Sequence, residues 1–181
     1  MTDATASNAA GGGAYIKAKF LSHGTIETRD LNRARKFYEE VFGFEVRQTS
    51  KISLMLRLNS TTTIACVQTR GPTKAGLYSH FGLDMATREE VDAAYQTALG
   101  LQDQYGIKRL TVPVDQHGTY AFYIIDADEN WWEILTNPPN GYCYVFDMEE
   151  EARSWNENNR GRDRIEKWQQ LKASDDPDSG K

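Results

Sequence analysis

Apolar and polar residues in the first half of the chain follow the pattern of a strand, a helix and three further strands. Around His23 alternate positions share a face, so Ile26 and its even-numbered neighbours lie opposite His23 and Glu27. Asp30 is a suitable N-cap for a helix whose apolar residues recur at helical spacing, and Gly43 is placed to end it. Strands are then predicted near 44–48, 52–58 and 62–68.

The second half repeats this order after a break at Arg70–Pro72. His80 and Phe81 begin a strand and lie on its two opposite faces. Thr87 and Glu90 form a capping box before a stripe of apolar residues at helical spacing. Strands are then predicted near 109–114, 120–125 and 131–135.

The repeat predicts an α+β protein made of two tandem βαβββ modules. The predicted divisions are a disordered tail at 1–16, a first module at 17–70, a second module at 71–137 and an extension at 138–181. In the extension, Ile165, Trp168 and Leu171 share one helical face. That pattern predicts a partly helical segment that docks on the domain or on a partner subunit.

The composition indicates a folded protein with neither a nucleic-acid nor a membrane partner. The 181 residues are 39% hydrophobic and 11% aromatic, and with a net charge of −5 the chain has no basic stripe to neutralise phosphates. No apolar run reaches the roughly 18 residues of a membrane span, and we predict no signal peptide. Cys66 and Cys143 lack the spacing of a disulfide framework, so a reduced cytoplasmic location is expected.

Two of the three histidines occupy matching places in the repeat, at the first strand of each module. His23 and His80 lie on the face opposite the helix-packing residues, and Glu133 lies in a run too apolar for a solvated surface. Burying an unpaired carboxylate costs several kcal/mol, roughly, and a metal ion is one way to offset this cost, with an arginine partner as the structural alternative. Two histidines and a carboxylate form the ligand set of an open non-haem metal site. We therefore predict His23, His80 and Glu133 as metal ligands, with hydrogen-bonded core histidines as the alternative.

Two further residues are candidates for catalysis. His117 precedes a strand and is interpreted either as a surface turn residue or as an acid–base group near the metal. Tyr123 is either a core residue or a hydrogen-bond donor behind the ligands. The segment 126–130 has the spacing that opens a calcium loop, but the glycine and the final glutamate of that loop are absent, so we predict a hairpin turn.

Three stretches of the sequence resemble one known superfamily over about residues 19–137. They are Leu21-Ser22-His23 with Asp30-Leu31 and Phe42-Gly43, then Ser79-His80-Phe81-Gly82-Leu83, and finally Phe122-Tyr123 through Trp132-Glu133. The chain resembles the vicinal oxygen chelate superfamily, which includes glyoxalase I, methylmalonyl-CoA epimerase, fosfomycin and bleomycin resistance proteins and extradiol dioxygenases. The resemblance implies a cupped sheet of paired βαβββ modules around a metal. It places the ligands on the first and last strands of modules.

The resemblance leaves two subfamilies to compare. Glyoxalases and epimerases use a fourth ligand, a Glu or Gln on the fourth strand of the first module, where this chain has Ala65 or Cys66 and, further on, Gln68. Extradiol dioxygenases use two histidines and one glutamate on Fe(II), with a tyrosine ten residues before the glutamate and a phenylalanine before that tyrosine. Phe122-Tyr123 has this spacing from Glu133. Their additional catalytic histidine, on the strand before the second metal histidine, is absent here.

The resulting hypothesis is an Fe(II)-dependent extradiol-type dioxygenase that acts with O₂ on a small catechol-like or phenolic compound. Mn, Co, Ni or Zn would also suit the ligand set. His117 and Tyr123 are the predicted groups for proton transfer and for hydrogen bonding to bound oxygen, and Trp131, Phe122 and Tyr120 form the predicted apolar wall. A glyoxalase- or epimerase-like lyase or isomerase is the first alternative, and a metal-free binding or resistance protein is the second. A homodimer is expected by analogy with the family.

Overall fold

The structure is a computed structural model that describes residues 15, 20–59, 61–71, 75–116, 119–137 and 142. The predicted tail at 1–16, apart from Tyr15, and the predicted extension at 138–181, apart from Tyr142, lie outside the described residues. His117 and Cys143 also lie outside them.

The first module has the predicted βαβββ order. Its elements are β1 (Gly24–Thr28), α1 (Leu31–Glu40), β2 (Glu45–Ser50), β3 (Ser53–Arg57) and β4 (Thr63–Gln68). The sheet order is β1-β4-β3-β2, and β1 runs parallel to β4. Asp30 caps α1 as predicted, because its carboxylate accepts hydrogen bonds from the backbone N–H groups of Asn32 and Arg33. Gly43 follows the helix with a φ of 69°, which glycine adopts without steric cost.

The second module has the same order with one more strand. Its elements are β5 (His80–Asp84), α2 (Arg88–Tyr105), β6 (Arg109–Leu110), β7 (Val114–Gln116), β8 (Thr119–Ile125) and β9 (Trp131–Thr136). The sheet order is β5-β9-β8-β6, with β7 also paired to β8, and β5 runs parallel to β9. The single strand predicted at 109–114 is therefore two short strands. Pro113 lies between them and has no N–H to donate to the ladder.

One face of each sheet packs into a hydrophobic core that the two modules share. In the first module this face includes Ile26 and Cys66, which are paired across β1 and β4 and are both buried. Burial raises the pKa of the Cys66 thiol to about 12, so this cysteine is protonated at neutral pH and packs as a core residue. Aromatic rings join the modules where Tyr38 and Phe42 of the first contact Trp132 of the second.

The turn between β8 and β9 ties the second module to the first. The Tyr38 hydroxyl donates to Asp126 Oδ2 at 2.8 Å, and burial raises the pKa of the Asp126 carboxyl. Asp128 accepts from the Thr28 hydroxyl at 2.7 Å and from Arg33 Nη2 at 2.6 Å. These carboxylates serve the contact between modules, and the predicted hairpin turn is confirmed.

Neither described helix has the length and apolar composition needed to cross a bilayer.

Candidate metal centre

The strand register places the predicted site residues of the second module on one face. One row of paired residues crosses the sheet from β6 through β8 and β9 to β5. In that order it contains Arg109, Ile125, Trp131 and His80. Two residues further along each strand, the next row on the same face holds Tyr123, Glu133 and Gly82. Paired residues point to the same side of a sheet, so His80 and Glu133 share the face opposite α2, which we call the cup face.

His80 and Glu133 are in direct contact. Nε2 of His80 lies 3.2 Å from Oε2 of Glu133, whose side chain is 8% exposed. Nδ1 of His80 is held by the carbonyl oxygen of Leu77, which can only accept, so Nδ1 carries a hydrogen. The contact between Nε2 and the carboxylate is then stabilised either by a shared proton or by a cation bound to both atoms. A histidine whose other N–H is fixed by a backbone carbonyl is the usual arrangement at a metal ligand.

Tyr123 and Gln116 hold the second oxygen of Glu133. The Tyr123 hydroxyl donates to Oε1 at 2.9 Å, and Gln116 Nε2 lies 3.4 Å from the same atom. Burial and, next, the hydrogen bond to Glu133 raise the pKa of Tyr123 to about 12. The phenol therefore keeps its proton at neutral pH and acts as a donor. Its ring also meets the His80 ring edge-on, with centroids 5.4 Å apart, so the three side chains orient one another.

A cavity of about 610 Å³ opens beside His80 and Tyr123. Its apolar lining includes Trp131, as predicted, together with Leu77, Val112 and Val114.

The other two residues of the predicted apolar wall point to the opposite face. Phe122 is fully buried against Tyr95 of α2. The Tyr120 hydroxyl donates to Asp92 of α2 at 2.7 Å. The prediction was wrong for Phe122 and Tyr120, because residues that alternate with Tyr123 along β8 lie on the helix side of the sheet.

His23 lies apart from this pair within one chain. It is exposed just before β1, its Nδ1 is 3.2 Å from the Ser22 hydroxyl, and it lines a different cavity of about 300 Å³ with Phe81 and Leu83. Among the described residues, no group of three His, Cys, Asp or Glu side chains is close enough to hold a metal ion. The structure thus brings together His80 and Glu133 and leaves His23 at a separate position.

Gln68 does not occupy the position of a fourth ligand. It is paired with Thr28, on the same face as the buried Cys66, and its Nε2 donates to the carbonyl oxygen of Arg29 at 2.9 Å. On the opposite face of β1 and β4, which by alternation is the face of His23, Ala65 is paired with Thr25. The described residues of β4 therefore offer no carboxylate or amide on that face.

Sequence reasoning missed Gln116 and Arg109. Gln116 ends the short strand β7, and Arg109 begins the two-residue strand β6. The Arg109 guanidinium lies 5.0 Å from the centroid of the Trp131 ring, at the cavity beside His80. Strands this short carry too few residues for a periodic pattern to show which side chains face the cup.

The family model of the glyoxalase/bleomycin resistance protein/dioxygenase superfamily matches residues 21–134. The chain belongs to this superfamily. The match begins two residues before His23 and ends one residue after Glu133, so it includes all three predicted ligands. A search of curated proteins found no significant match.

Several solved structures of other proteins share the fold. The fosfomycin resistance protein FosX from Listeria monocytogenes is 19% identical, with a TM-score of 0.57, over 71% of this chain and 98% of that protein. A possible glyoxalase from Bacillus cereus is 21% identical, with a TM-score of 0.53, over 65% and 99%. Lactoylglutathione lyase from Agrobacterium tumefaciens is 18% identical, with a TM-score of 0.51, over 66% and 95%. The predicted fold of paired βαβββ modules is confirmed.

Proposed function

We propose that this protein is a metal-dependent enzyme whose ligands are His80, Glu133 and His23. The observation that supports the proposal most is the contact of 3.2 Å between His80 Nε2 and Glu133 Oε2, with His80 Nδ1 fixed on the Leu77 carbonyl. This arrangement provides one imidazole nitrogen and one carboxylate oxygen on neighbouring strands. Both are suitable donors for a divalent first-row metal.

We further propose that His23 reaches the metal from a second copy of the chain. His80 and Glu133 supply two of the three proposed ligands, and His23 lines a separate cavity in the same chain. In a dimer with twofold symmetry each chain gives the same surfaces to its partner. Two identical sites would then form, each with the His80–Glu133 pair of one chain and His23 of the other.

With three protein ligands and no fourth candidate among the described residues of β4, a bound metal would have coordination positions for substrate and O₂. We therefore propose Fe(II) as the metal, with Mn, Co, Ni or Zn also compatible, and extradiol-type oxygenation of a catechol-like or phenolic compound as the activity. The metal would supply Lewis acidity toward two adjacent substrate oxygens and a route for electrons to O₂.

The roles of the chain's own residues follow from their contacts. Tyr123 holds Glu133 in place through the hydrogen bond from its hydroxyl, while Trp131 and Val112 would offer apolar contacts to the substrate. His117 stays a sequence-based candidate for proton transfer. A cytoplasmic location also stays a prediction from the sequence.

Oxygen consumption tests this activity. Protein purified without chelators and loaded anaerobically with Fe(II) is expected to consume O₂ with at least one member of a panel of catechols and substituted phenols. A Glu133→Gln variant prepared in the same way should consume none. Turnover of a hemithioacetal or epimerisation without O₂ would instead support the lyase or isomerase alternative. Binding of aromatic ligands without any metal requirement would support a binding or resistance protein.

A further inference from the structure

We propose that Arg109 binds an anionic group, a carboxylate or a phosphonate, on the substrate of the cavity beside His80. This inference rests on the proposed function in that it names the class of substrate for the same cavity. Arg109 is not one of the proposed metal ligands, so the inference adds a substrate-binding residue to this cavity.

The position of Arg109 follows from the strand register. Arg109 and His80 stand at opposite ends of the row that crosses β6, β8, β9 and β5. Three strand spacings separate their backbones by about 14 Å. The guanidinium lies over the ring of Trp131, and Trp131 is paired directly with His80. His80, Trp131 and Arg109 line the same cavity, so a substrate held at His80 would extend across Trp131 toward the guanidinium.

The charge of Arg109 has no acidic partner in the part of the chain that the structure describes. Other cations of the second module do have one: Arg88 pairs with Asp115, and Lys108 pairs with Glu129. No ion pair involves Arg109 among the described residues, and the described lining of the cavity includes no Asp or Glu. In a chain with a net charge of −5, an exposed cavity arginine that has no carboxylate partner among the described residues attracts an anion from outside.

The chemistry of arginine fits an oxyanion. The guanidinium lies within cation–π distance of the Trp131 ring, and its N–H groups can still donate two parallel hydrogen bonds. Carboxylate and phosphonate groups both accept such a pair of bonds. The apolar side chains Leu77, Val112 and Val114 line the same cavity and suit the hydrocarbon part of the ligand.

Titration calorimetry with metal-free protein tests the assignment without relying on the metal site. The probes are 4-methylbenzoate, 4-methylphenylphosphonate and the neutral 4-methylbenzamide, in a buffer without phosphate. Wild-type protein is expected to bind at least one anion about 10- to 100-fold more tightly than the amide, since charge-assisted hydrogen bonds contribute that much. The anion that binds more tightly shows whether the group on the substrate is a carboxylate or a phosphonate. Arg109→Gln should lose the preference, and Arg109→Lys, which keeps the charge, should retain part of it.

The matched control is Lys108→Gln, which removes the same charge at the neighbouring position, where the side chain pairs with Glu129. It should keep the full preference for the anion. Equal binding of acid and amide by wild-type protein, or no binding of any probe at millimolar concentration, would overturn the proposal. An unchanged preference in both Arg109 variants would also overturn it. Because the titrations use metal-free protein, their outcome does not depend on whether the chain binds a metal, so failure of the metal proposal can be told apart from failure of this one.

Discussion

Replacing Glu133 with glutamine is expected to weaken binding of Fe(II) or Co(II) by at least about 100-fold, more than the loss typical of removing a residue that only supports a ligand. Glutamine keeps the size of the side chain but removes the negative charge that neutralises the metal. The Tyr123 hydroxyl and the Gln116 amide that hold Oε1 would still find an acceptor in the amide oxygen, so the fold should persist. Anaerobic titration with Co(II), followed by its visible spectrum, measures the affinity.

Glu129→Gln is the matched control for this substitution. Glu129 lies four residues earlier, in the turn before β9, and pairs with Lys108 at the surface. The same change of charge there should leave the metal affinity at the wild-type value. Wild-type metal content in Glu133→Gln would remove this residue from the ligand set.

Replacing Asp128 with asparagine is expected to lower the free energy of unfolding by about 2–3 kcal/mol at pH 7. Asp128 is 4% exposed, and its carboxylate accepts hydrogen bonds from Thr28, Arg29 and Arg33 of the first module. A buried hydrogen bond to a charged group contributes about 1.5–3 kcal/mol, and the partial exposure of both arginines weakens their share. Urea unfolding of the variant measures the loss, and Asp103→Asn on the exposed surface of α2 should be neutral within about 0.5 kcal/mol.

The effect of this substitution should depend on pH. Burial opposes ionisation of Asp128, but the hydrogen bonds from Thr28 and Arg33 prevail and hold its pKa below the ordinary value. A carboxyl with a lowered pKa in the folded state stabilises the protein above its unfolded pKa of about 3.9 and loses that contribution as the pH falls through the folded pKa. The difference between wild type and Asp128→Asn should therefore be full at pH 6–8 and shrink below about pH 4. A difference that grows on acidification would contradict the assigned direction.

Periodicity in the sequence predicts most of the fold because it records which side of each strand is buried. Ile26 and Phe122 lie on core faces for this reason, and His80, Tyr123 and Glu133 lie on the opposite side of their sheet. The same alternation places Phe122 on the face opposite the cup face, so including it in the predicted apolar wall was wrong.

The rest of the site depends on which strands pair and at what register. Arg109 reaches Trp131 only because β6 is paired with β8 and β8 with β9, and this long-range order has no local pattern in a two-residue strand. Pro113 gave the only local indication that the strand near Arg109 is broken. Symmetry between the modules pointed to His23 and His80 as equivalent positions. It did not specify whether the modules that complete a site belong to one chain or to two.

Mixing two inactive variants tests most directly the claim that His80, Glu133 and His23 of a second chain form one metal centre. His23→Ala and His80→Ala, each purified alone, are expected to bind little metal. After the two are unfolded together and refolded as an equal mixture, about one quarter of the wild-type metal content should return, since half of randomly formed dimers are mixed and each contains one intact site. No recovery in a mixture shown to contain mixed dimers would contradict completion by a second chain. Full metal content in either variant alone would contradict the ligand assignment.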